Sequence, residues 1–242
     1  MEDMEPMAKR IGILGGISAE STVEYYRRII RGYYERRHDY HYPEIVIFSL
    51  DFQRFTDFED TGDRAGYVAE IMSGIDVLQG ADVDFILMAA NSPHAVFDEI
   101  EVQARVPMLS IVQVTAEAAQ AQGIHKLLLL GIKFTMQSSF YQEACRRLDI
   151  EVLTPSASEQ DEINRIIFDE LTRGIFQESS RARLLAIIDR YPVDGVILGC
   201  TELPLILRQQ DADVVLLDTL ELHTRAALDY ALDDGKRHQE AS

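Results

Sequence analysis

The sequence predicts an α/β protein built from two pseudo-symmetric lobes, each with a parallel sheet. First, apolar strand-like runs alternate with amphipathic segments along the whole chain, the pattern of parallel sheets covered by helices. Second, residues 83–92 and 193–202 read as near-copies of each other. Third, the opening run at residues 11–16 is echoed at residues 127–132. Together these observations predict a duplicated fold.

The individual elements follow from runs of apolar residues bounded by turn-forming residues. Strands are predicted at residues 10–14, 44–50, 83–89 and 106–111 in the first half, and at 126–131, 150–154, 193–199 and 213–218 in the second. Helices are predicted from amphipathic segments at residues 19–36, 64–79, 97–103, 114–122, 138–148, 160–173, 181–190 and 220–233.

The duplication places Ala90 opposite Cys200 when the two near-copies are laid over each other without gaps. Each residue follows a strand, and open α/β sheets bind ligands at the carboxyl ends of their strands. We therefore expect an active-site cleft between the lobes, with positions 90 and 200 facing each other across it. Of these two side chains, only the Cys200 thiol carries a transferable proton.

The domain boundaries are less marked than the repeat. No linker rich in Gly, Pro or Ser separates the halves, so tight packing of the lobes is expected. We place the first lobe at residues 1–113 and 220–242 and the second at residues 114–219. In this division the last helix packs back on the first lobe.

The composition limits the classes of function. A net charge of -18 over 242 residues argues against nucleic-acid binding, which needs a basic surface, and is consistent with simple solubility. No apolar run approaches the roughly 18 residues of a membrane span, and residues 1–10 do not resemble a secretory signal. The two cysteines and six histidines show no metal-ligand spacing. A cytoplasmic protein without a metal site or a membrane partner is therefore expected.

Cys200 is the principal candidate for chemistry. It comes at the switch from a strand to a loop and is followed by Thr201 and Glu202. A lone cysteine at a strand end is often inert, but helix N–H groups nearby would lower its pKa and supply thiolate. Cys145 lies in the middle of a predicted helix, and we interpret it as structural.

The counterpart segment in the first half offers further polar groups. Asn91 and Ser92 can each hydrogen-bond to a ligand, and His94 near a helix start could titrate near neutrality. A structural role for His94 is the alternative. Gly16, at the strand–helix turn, either receives a carboxylate on its backbone N–H or is simply required by a tight turn.

Three further signals are weaker. Gln53 and Arg54 follow the second strand and could bind a carboxylate. Asp218 and Thr219 resemble a helix cap, with His223 one turn later on the adjacent face. For His223, a histidine satisfied within a helix start is at least as good an interpretation as a titrating group.

The motifs as a set resemble the aspartate/glutamate racemase family, a cofactor-independent group. The matching segments cover about residues 11–232: the start 11–16 with 22–26, then 133–136 with 140–141, then 198–202, and Asp218-Thr219 with His223. The resemblance implies two α/β lobes around a cleft, no cofactor, a small acidic amino acid as substrate, and a homodimer. Members usually use two thiols, one from each lobe; Cys200 matches the second, and Ala90 replaces the first.

The resemblance also implies roles for the candidate residues. Cys200 would exchange the α-proton of aspartate or glutamate, and only Ser92, His94 or a water could act on the opposite face. The substrate-binding positions would be Gly16, Gln53, Arg54, Ala90, Asn91, Thr135, Arg173, Thr201 and Glu202. Because alanine has no proton to transfer, two alternatives stay open: a single-cysteine decarboxylase or isomerase, and a catalytically silent ligand-binding homologue.

Overall fold

The computed structural model describes residues 8–232, which divide into two compact units. One unit holds residues 8–89, 98–109 and 223–232, and the other holds residues 90–97 and 110–222. The boundaries predicted at residues 113 and 219 remain predictions. In the structure the chain passes from one unit to the other after residues 109 and 222, and residues 90–97 belong to the second unit.

The first unit contains a four-stranded parallel sheet with the order β2-β1-β3-β4. Its strands are β1 (Ile11–Gly15), β2 (Ile45–Ser49), β3 (Phe85–Met88) and β4 (Met108–Leu109). Both central strands, β1 and β3, are buried along their whole length, as expected for parallel strands covered on both faces.

The second unit repeats this topology with the order β6-β5-β7-β8, all parallel. Its strands are β5 (Lys126–Leu130), β6 (Glu151–Leu153), β7 (Gly195–Leu198) and β8 (Val215–Asp218). The identical strand order confirms the predicted α/β class and the duplication. Strands β3 and β7 occupy the same position in their sheets, and Ala90 and Cys200 each come two residues after them.

Ten α-helices accompany these strands within residues 8–232: α1 (Ala19–Arg37), α2 (Phe52–Thr61), α3 (Arg64–Gly80), α4 (Phe97–Glu101), α5 (Ile111–Ala121), α6 (Lys133–Gln137), α7 (Phe140–Arg146), α8 (Ala157–Asp169), α9 (Glu178–Ile188) and α10 (Thr219–Leu232). Residue 233, the predicted end of the last helix, lies outside the described residues. None of these helices combines the length and apolar character needed to cross a bilayer.

Several helices differ from the prediction: α6 was not predicted, and α8 begins at Ala157 rather than at 160. Helix α5 begins at Ile111 rather than at 114, because the Ser110 side chain caps it by accepting from the Gln113 N–H. Helix α2 was not predicted at all. The Asp51 carboxylate caps its start and Gly62 ends it in the left-handed region, so the sequence did contain both helix-end signals.

Gly16 forms the turn between β1 and α1 in a conformation that requires glycine. Its φ is +83°, and a Cβ atom there would lie 2.3 Å from the backbone N and O of Leu50. Its N–H donates to the hydroxyl of Thr22 at 2.9 Å. Within the first unit, the structural interpretation of Gly16 therefore accounts for both its conformation and its N–H.

We expect Gly16→Ala to lower the free energy of unfolding by about 3 kcal/mol, since left-handed strain and a backbone clash add together. Gly62→Ala is the matched control: its φ is +67°, but no atom lies within 4 Å of the added Cβ. That control should cost about 1 kcal/mol, the strain alone. Urea titrations of both variants measure the difference, and equal losses would contradict the clash at Gly16.

Candidate active site

The second unit gathers polar side chains at the carboxyl edge of its sheet. Leu130 of β5, Leu198 of β7 and Asp218 of β8 are in register, so the residues that follow them emerge at the same edge. These include Thr135 in α6, Cys200 after β7 and Thr219 at the start of α10. Parallel sheets place ligand sites at this edge.

Cys200 is bonded to a carboxylate. Its Sγ donates to Oε2 of Glu202 at 3.0 Å, and the Thr201 hydroxyl donates to the same oxygen at 2.8 Å. Cys200 is 9% exposed and Glu202 is 5% exposed. Three consecutive residues thus form a compact, mostly buried cluster with one thiol, one hydroxyl and one carboxylate.

The protonation state of Cys200 differs from the sequence expectation. Burial, and then the negative charge of Glu202 beside it, raise the pKa of the thiol well above its ordinary value. Backbone N–H groups of Thr201 and Glu202 act in the opposite direction but are outweighed. The prediction of a lowered thiol pKa was therefore wrong: Cys200 rests as a protonated thiol.

Asn91 is held by a chain of buried hydrogen bonds. The Tyr141 hydroxyl donates to Asn91 Oδ1 at 2.6 Å, and Asn91 Nδ2 donates to Thr219 Oγ1 at 3.2 Å. Thr219 in turn donates to the carbonyl oxygen of Leu198 at 2.9 Å, two residues before Cys200. This chain fixes the orientation of the Asn91 amide and connects it to the strand that carries the thiol.

The sequence did not identify Tyr141 as a site residue. Burial raises the pKa of its phenol, so it remains a hydrogen-bond donor at any ordinary pH. Its partner Asn91 lies 50 positions away along the chain. No local pattern reveals such a contact, although the polar hydroxyl at an otherwise buried helix position was an available signal.

Thr135 carries an unpaired hydroxyl at this same edge. The residue is fully buried, and its Oγ1 lacks a hydrogen-bond partner, the one such buried side-chain atom found within residues 8–232. Glycines surround it: a Cβ at Gly131 would lie 3.4 Å from Thr135 Cβ, and one at Gly199 would lie 3.6 Å from its Cγ2. An orphaned buried hydroxyl costs free energy, so it is a natural partner for a ligand.

His94 is engaged by the backbone on both ring nitrogens. The Ile111 N–H donates to Nε2 at 3.2 Å, so Nδ1 carries the proton and donates to the carbonyl oxygen of Ala90 at 3.1 Å. Its ring also stacks on Phe97. In this arrangement His94 orients the segment after Ala90. Ser92 is buried beside it as the first residue of the 3₁₀ helix Ser92–Val96.

The three residues proposed for a distal substrate group are exposed. Gln53 and Arg54 lie in the first turn of α2 in the first unit, where Gln53 donates to Asp57 and Arg54 pairs with Glu70 at 2.7 Å. Arg173 ends the 3₁₀ helix Leu171–Arg173 in the second unit. Their roles in substrate binding remain predictions.

His223 in the first unit is a buried neutral histidine. Its Nε2 lies 3.1 Å from the carbonyl oxygen of Leu109 and therefore carries the proton, and its Nδ1 accepts from the Tyr25 hydroxyl at 2.8 Å. Burial lowers its pKa to about 4. Protonation would place a charge in the core and remove the acceptor for Tyr25.

Because His223 is buried in its neutral form, the free energy of unfolding should depend on pH. Because the pKa of His223 is about 6.5 in the unfolded chain and about 4 in the folded one, its contribution is complete above pH 6.5 and is lost as the pH falls towards 4. The free energy of unfolding should fall by about 2 kcal/mol between pH 7.5 and pH 5 from this group. Urea titrations at both pH values measure it, with His223→Gln, which cannot titrate, as the control. Identical pH slopes in both proteins would contradict the assignment.

Cys145, the second thiol, is fully buried in α7, and burial raises its pKa to about 11. Among residues 8–232 there is no group of three or more His, Cys, Asp or Glu side chains placed to hold a metal ion.

The fold and the site together define a duplicated α/β protein with a single thiol–carboxylate pair at the carboxyl edge of its second sheet. The family model for Asp/Glu/Hydantoin racemase matches residues 14–227. The chain belongs to that family.

Individual relatives agree with this assignment. The chain is 26% identical to the broad-specificity amino-acid racemase RacX of Bacillus subtilis, over 86% of this chain and 92% of RacX. Among solved structures, it is similar to a candidate Asp/Glu racemase from Yersinia pestis, with a TM-score of 0.87, 36% identity and coverage of 93% and 100%. It is also similar to an aspartate racemase homologue from Pyrococcus horikoshii, with a TM-score of 0.81, 37% identity and coverage of 92% and 99%.

Proposed function

We propose that this protein is a cofactor-independent racemase-family enzyme that exchanges the α-proton of an acidic amino acid, aspartate or glutamate, through Cys200. The observation that carries the proposal is the buried Cys200 thiol, hydrogen-bonded to Glu202 at the carboxyl edge of the second sheet. Family membership and the racemase relatives support the reaction class.

Substrate binding would use the polar groups at the same edge. Asn91 is held in one orientation by Tyr141 and Thr219. The Thr135 hydroxyl has no hydrogen-bond partner among residues 8–232 and could donate to an acceptor such as an α-carboxylate oxygen. The groups assigned to the α-carboxylate are Asn91, Ser92, Thr135 and Thr201, and those assigned to the distal group are Gln53, Arg54 and Arg173. The Gly16 N–H, which donates to Thr22, is not assigned to the substrate.

We expect proton exchange to take place on only one face of the substrate α-carbon. Racemisation needs an acid on one face of the α-carbon and a base on the other. Ala90 supplies neither, and both ring nitrogens of His94 are occupied by backbone groups. We therefore expect exchange of the α-proton with retention to outrun inversion, which would depend on Ser92 or water.

The test is α-proton exchange in deuterated water, followed by NMR for each enantiomer of aspartate and glutamate. Loss of the α-proton signal of one enantiomer, with slow or no inversion, is expected. Rapid inversion would show that a second acid or base acts despite Ala90. Absence of exchange with any of the four, together with calorimetric binding, would replace the proposal with a catalytically silent ligand-binding homologue.

A single-cysteine decarboxylase or isomerase is the second candidate. It is favoured by one observation: Cys200 rests as a protonated thiol, which is the state that donates a proton to a carbanion. Release of carbon dioxide from substituted malonates would identify it. The homodimer and the cytoplasmic location expected from the sequence remain predictions.

A further inference from the structure

The hydrogen bonds that hold Asn91 form a buried chain that ends on the backbone. The chain runs from the Tyr141 hydroxyl to the Asn91 amide, and from there through the Thr219 hydroxyl to the carbonyl oxygen of Leu198. All four residues belong to the second unit. Tyr141 and Thr219 are fully buried and Asn91 is 4% exposed, so their polar atoms depend on one another for hydrogen bonds.

The Leu198 carbonyl decides which end of the Asn91 amide faces which neighbour. A carbonyl oxygen only accepts, so the Thr219 hydroxyl must donate to it. The Thr219 oxygen then has no proton left for Asn91 and can only accept, which requires Nδ2 of the amide to face it. Oδ1 consequently faces Tyr141 and accepts its proton. The backbone of β7 therefore sets the direction of the whole chain.

This direction leaves Asn91 with a defined capacity for a ligand. An amide has two N–H donors and two acceptor lone pairs. One N–H is used on Thr219 and one lone pair on Tyr141, so one of each is uncommitted among residues 8–232. The uncommitted N–H matches an α-carboxylate, which only accepts. In a reversed amide an oxygen would take the place of that N–H and would repel the carboxylate.

We propose that Tyr141 is a positioning residue for substrate binding: its hydroxyl, acting through Asn91, keeps the uncommitted N–H available to the α-carboxylate. The proposal rests on the proposed function, in which Asn91 binds that carboxylate. Tyr141 acts only through the amide in this scheme. Its removal should therefore weaken substrate binding and leave the Cys200 thiol as it is.

The alternative role for the Tyr141 hydroxyl is to stabilise the fold alone. A buried hydroxyl needs a partner in either case, so the two roles share the same hydrogen bond. They differ in their dependence on Asn91. If Tyr141 acts through the amide, its effect on binding disappears once the amide has been removed, whereas a purely structural effect persists.

Tyr141→Phe removes the hydroxyl and keeps the ring, and α-proton exchange is measured with the reactive enantiomer of aspartate or glutamate. We expect KM to rise about fivefold, the size expected for one lost hydrogen bond, and kcat to change by less than about twofold. In the Asn91→Ala background the same substitution should change KM by less than about twofold. Alkylation of Cys200 by iodoacetamide, located by peptide mass spectrometry, should keep its wild-type rate.

Tyr25→Phe is the matched control. Tyr25 is also fully buried and its hydroxyl also bonds to a side chain, that of His223, but in the first unit. This variant should lower the free energy of unfolding without raising KM. On the other side of the amide, Thr219→Val should raise KM as Tyr141→Phe does, and Thr219→Ser, which keeps the hydroxyl, should restore it. This pair takes over the test if Tyr141→Phe does not fold.

Three results would overturn the positioning role. The first is an unchanged KM in Tyr141→Phe, and the second is an equal rise of KM in the Asn91→Ala background. The third is a lower kcat together with an altered rate of Cys200 alkylation, which would show that Tyr141 acts on the thiol.

The two proposals fail in distinguishable ways. If the wild type exchanges α-protons and Tyr141→Phe keeps its KM, the proposed function stands and the positioning role is overturned. If the wild type binds aspartate or glutamate without exchange, the Kd from calorimetry replaces KM in the same comparisons.

If the wild type neither exchanges nor binds these amino acids, the proposed function fails. The side-chain amide signal of Asn91 in heteronuclear NMR spectra, identified by its loss in Asn91→Ala, then decides the role of Tyr141. Its protons should exchange with solvent about fivefold faster in Tyr141→Phe, because the amide has lost one of its hydrogen bonds. An unchanged rate would show that Tyr141 does not hold Asn91.

Discussion

Cys200→Ala is expected to reduce α-proton exchange to the uncatalysed background. The Cys200 thiol carries a transferable proton at the carboxyl end of β7. A single general acid–base group contributes about 10²–10⁴-fold to a rate. NMR in deuterated water with the reactive enantiomer measures the loss. An unchanged rate would remove Cys200 from the mechanism.

Cys145→Ala is the matched control for this variant. Cys145 lies in α7 with its thiol packed in the core, and burial raises its pKa to about 11. Removing this thiol should leave the exchange rate per folded molecule within about twofold, because the proposed reaction does not use it. Circular dichroism confirms that both variants are folded at the assay temperature.

Ala90→Cys is expected to raise the rate of inversion about 100-fold. The identical strand order of the two sheets makes position 90 the counterpart of position 200, two residues after β3 as Cys200 is two residues after β7. A thiol there would supply the acid or base that the proposed reaction lacks on the second face of the α-carbon. Chiral chromatography of the amino acid after incubation measures inversion directly.

Ala90→Ser controls for size in this experiment. Serine adds one side-chain heavy atom, as cysteine does, but its hydroxyl is a poor acid and base near neutral pH. Inversion should therefore rise with cysteine and not with serine. Faster exchange without faster inversion in Ala90→Cys would contradict the idea that positions 90 and 200 address opposite faces of the α-carbon.

The strands and the duplication could be predicted because they depend on local patterns. All eight predicted strands are present. Their ends differ from the predicted ones mainly because residues at the predicted ends do not pair within the sheet. Helix α2 was missed because its amphipathic pattern is short and follows directly after a strand, although Asp51 and Gly62 mark its ends. Helix α5 starts earlier than predicted because the Ser110 cap was not recognised.

The candidate site was predicted in part. The position of Cys200 at a strand end follows from the sequence, and so does its proximity to Thr201 and Glu202. The partners of Asn91, His94 and His223 do not, because each bond joins residues that are far apart along the chain. Tyr141 is assigned to the site only because of such a bond.

The sequence by itself determined the fold class, the repeat and the presence of one thiol where the family resemblance implies two. These properties follow from the pattern of apolar residues and from the residue types at equivalent positions of the two halves. Both can be read from the sequence without coordinates. The tertiary structure decided the protonation states: burial and the Glu202 carboxylate keep Cys200 a thiol, and burial keeps His223 neutral. The physical reason is that a pKa depends on solvent exclusion and on distances of a few ångströms between side chains, which are fixed only when distant segments pack together.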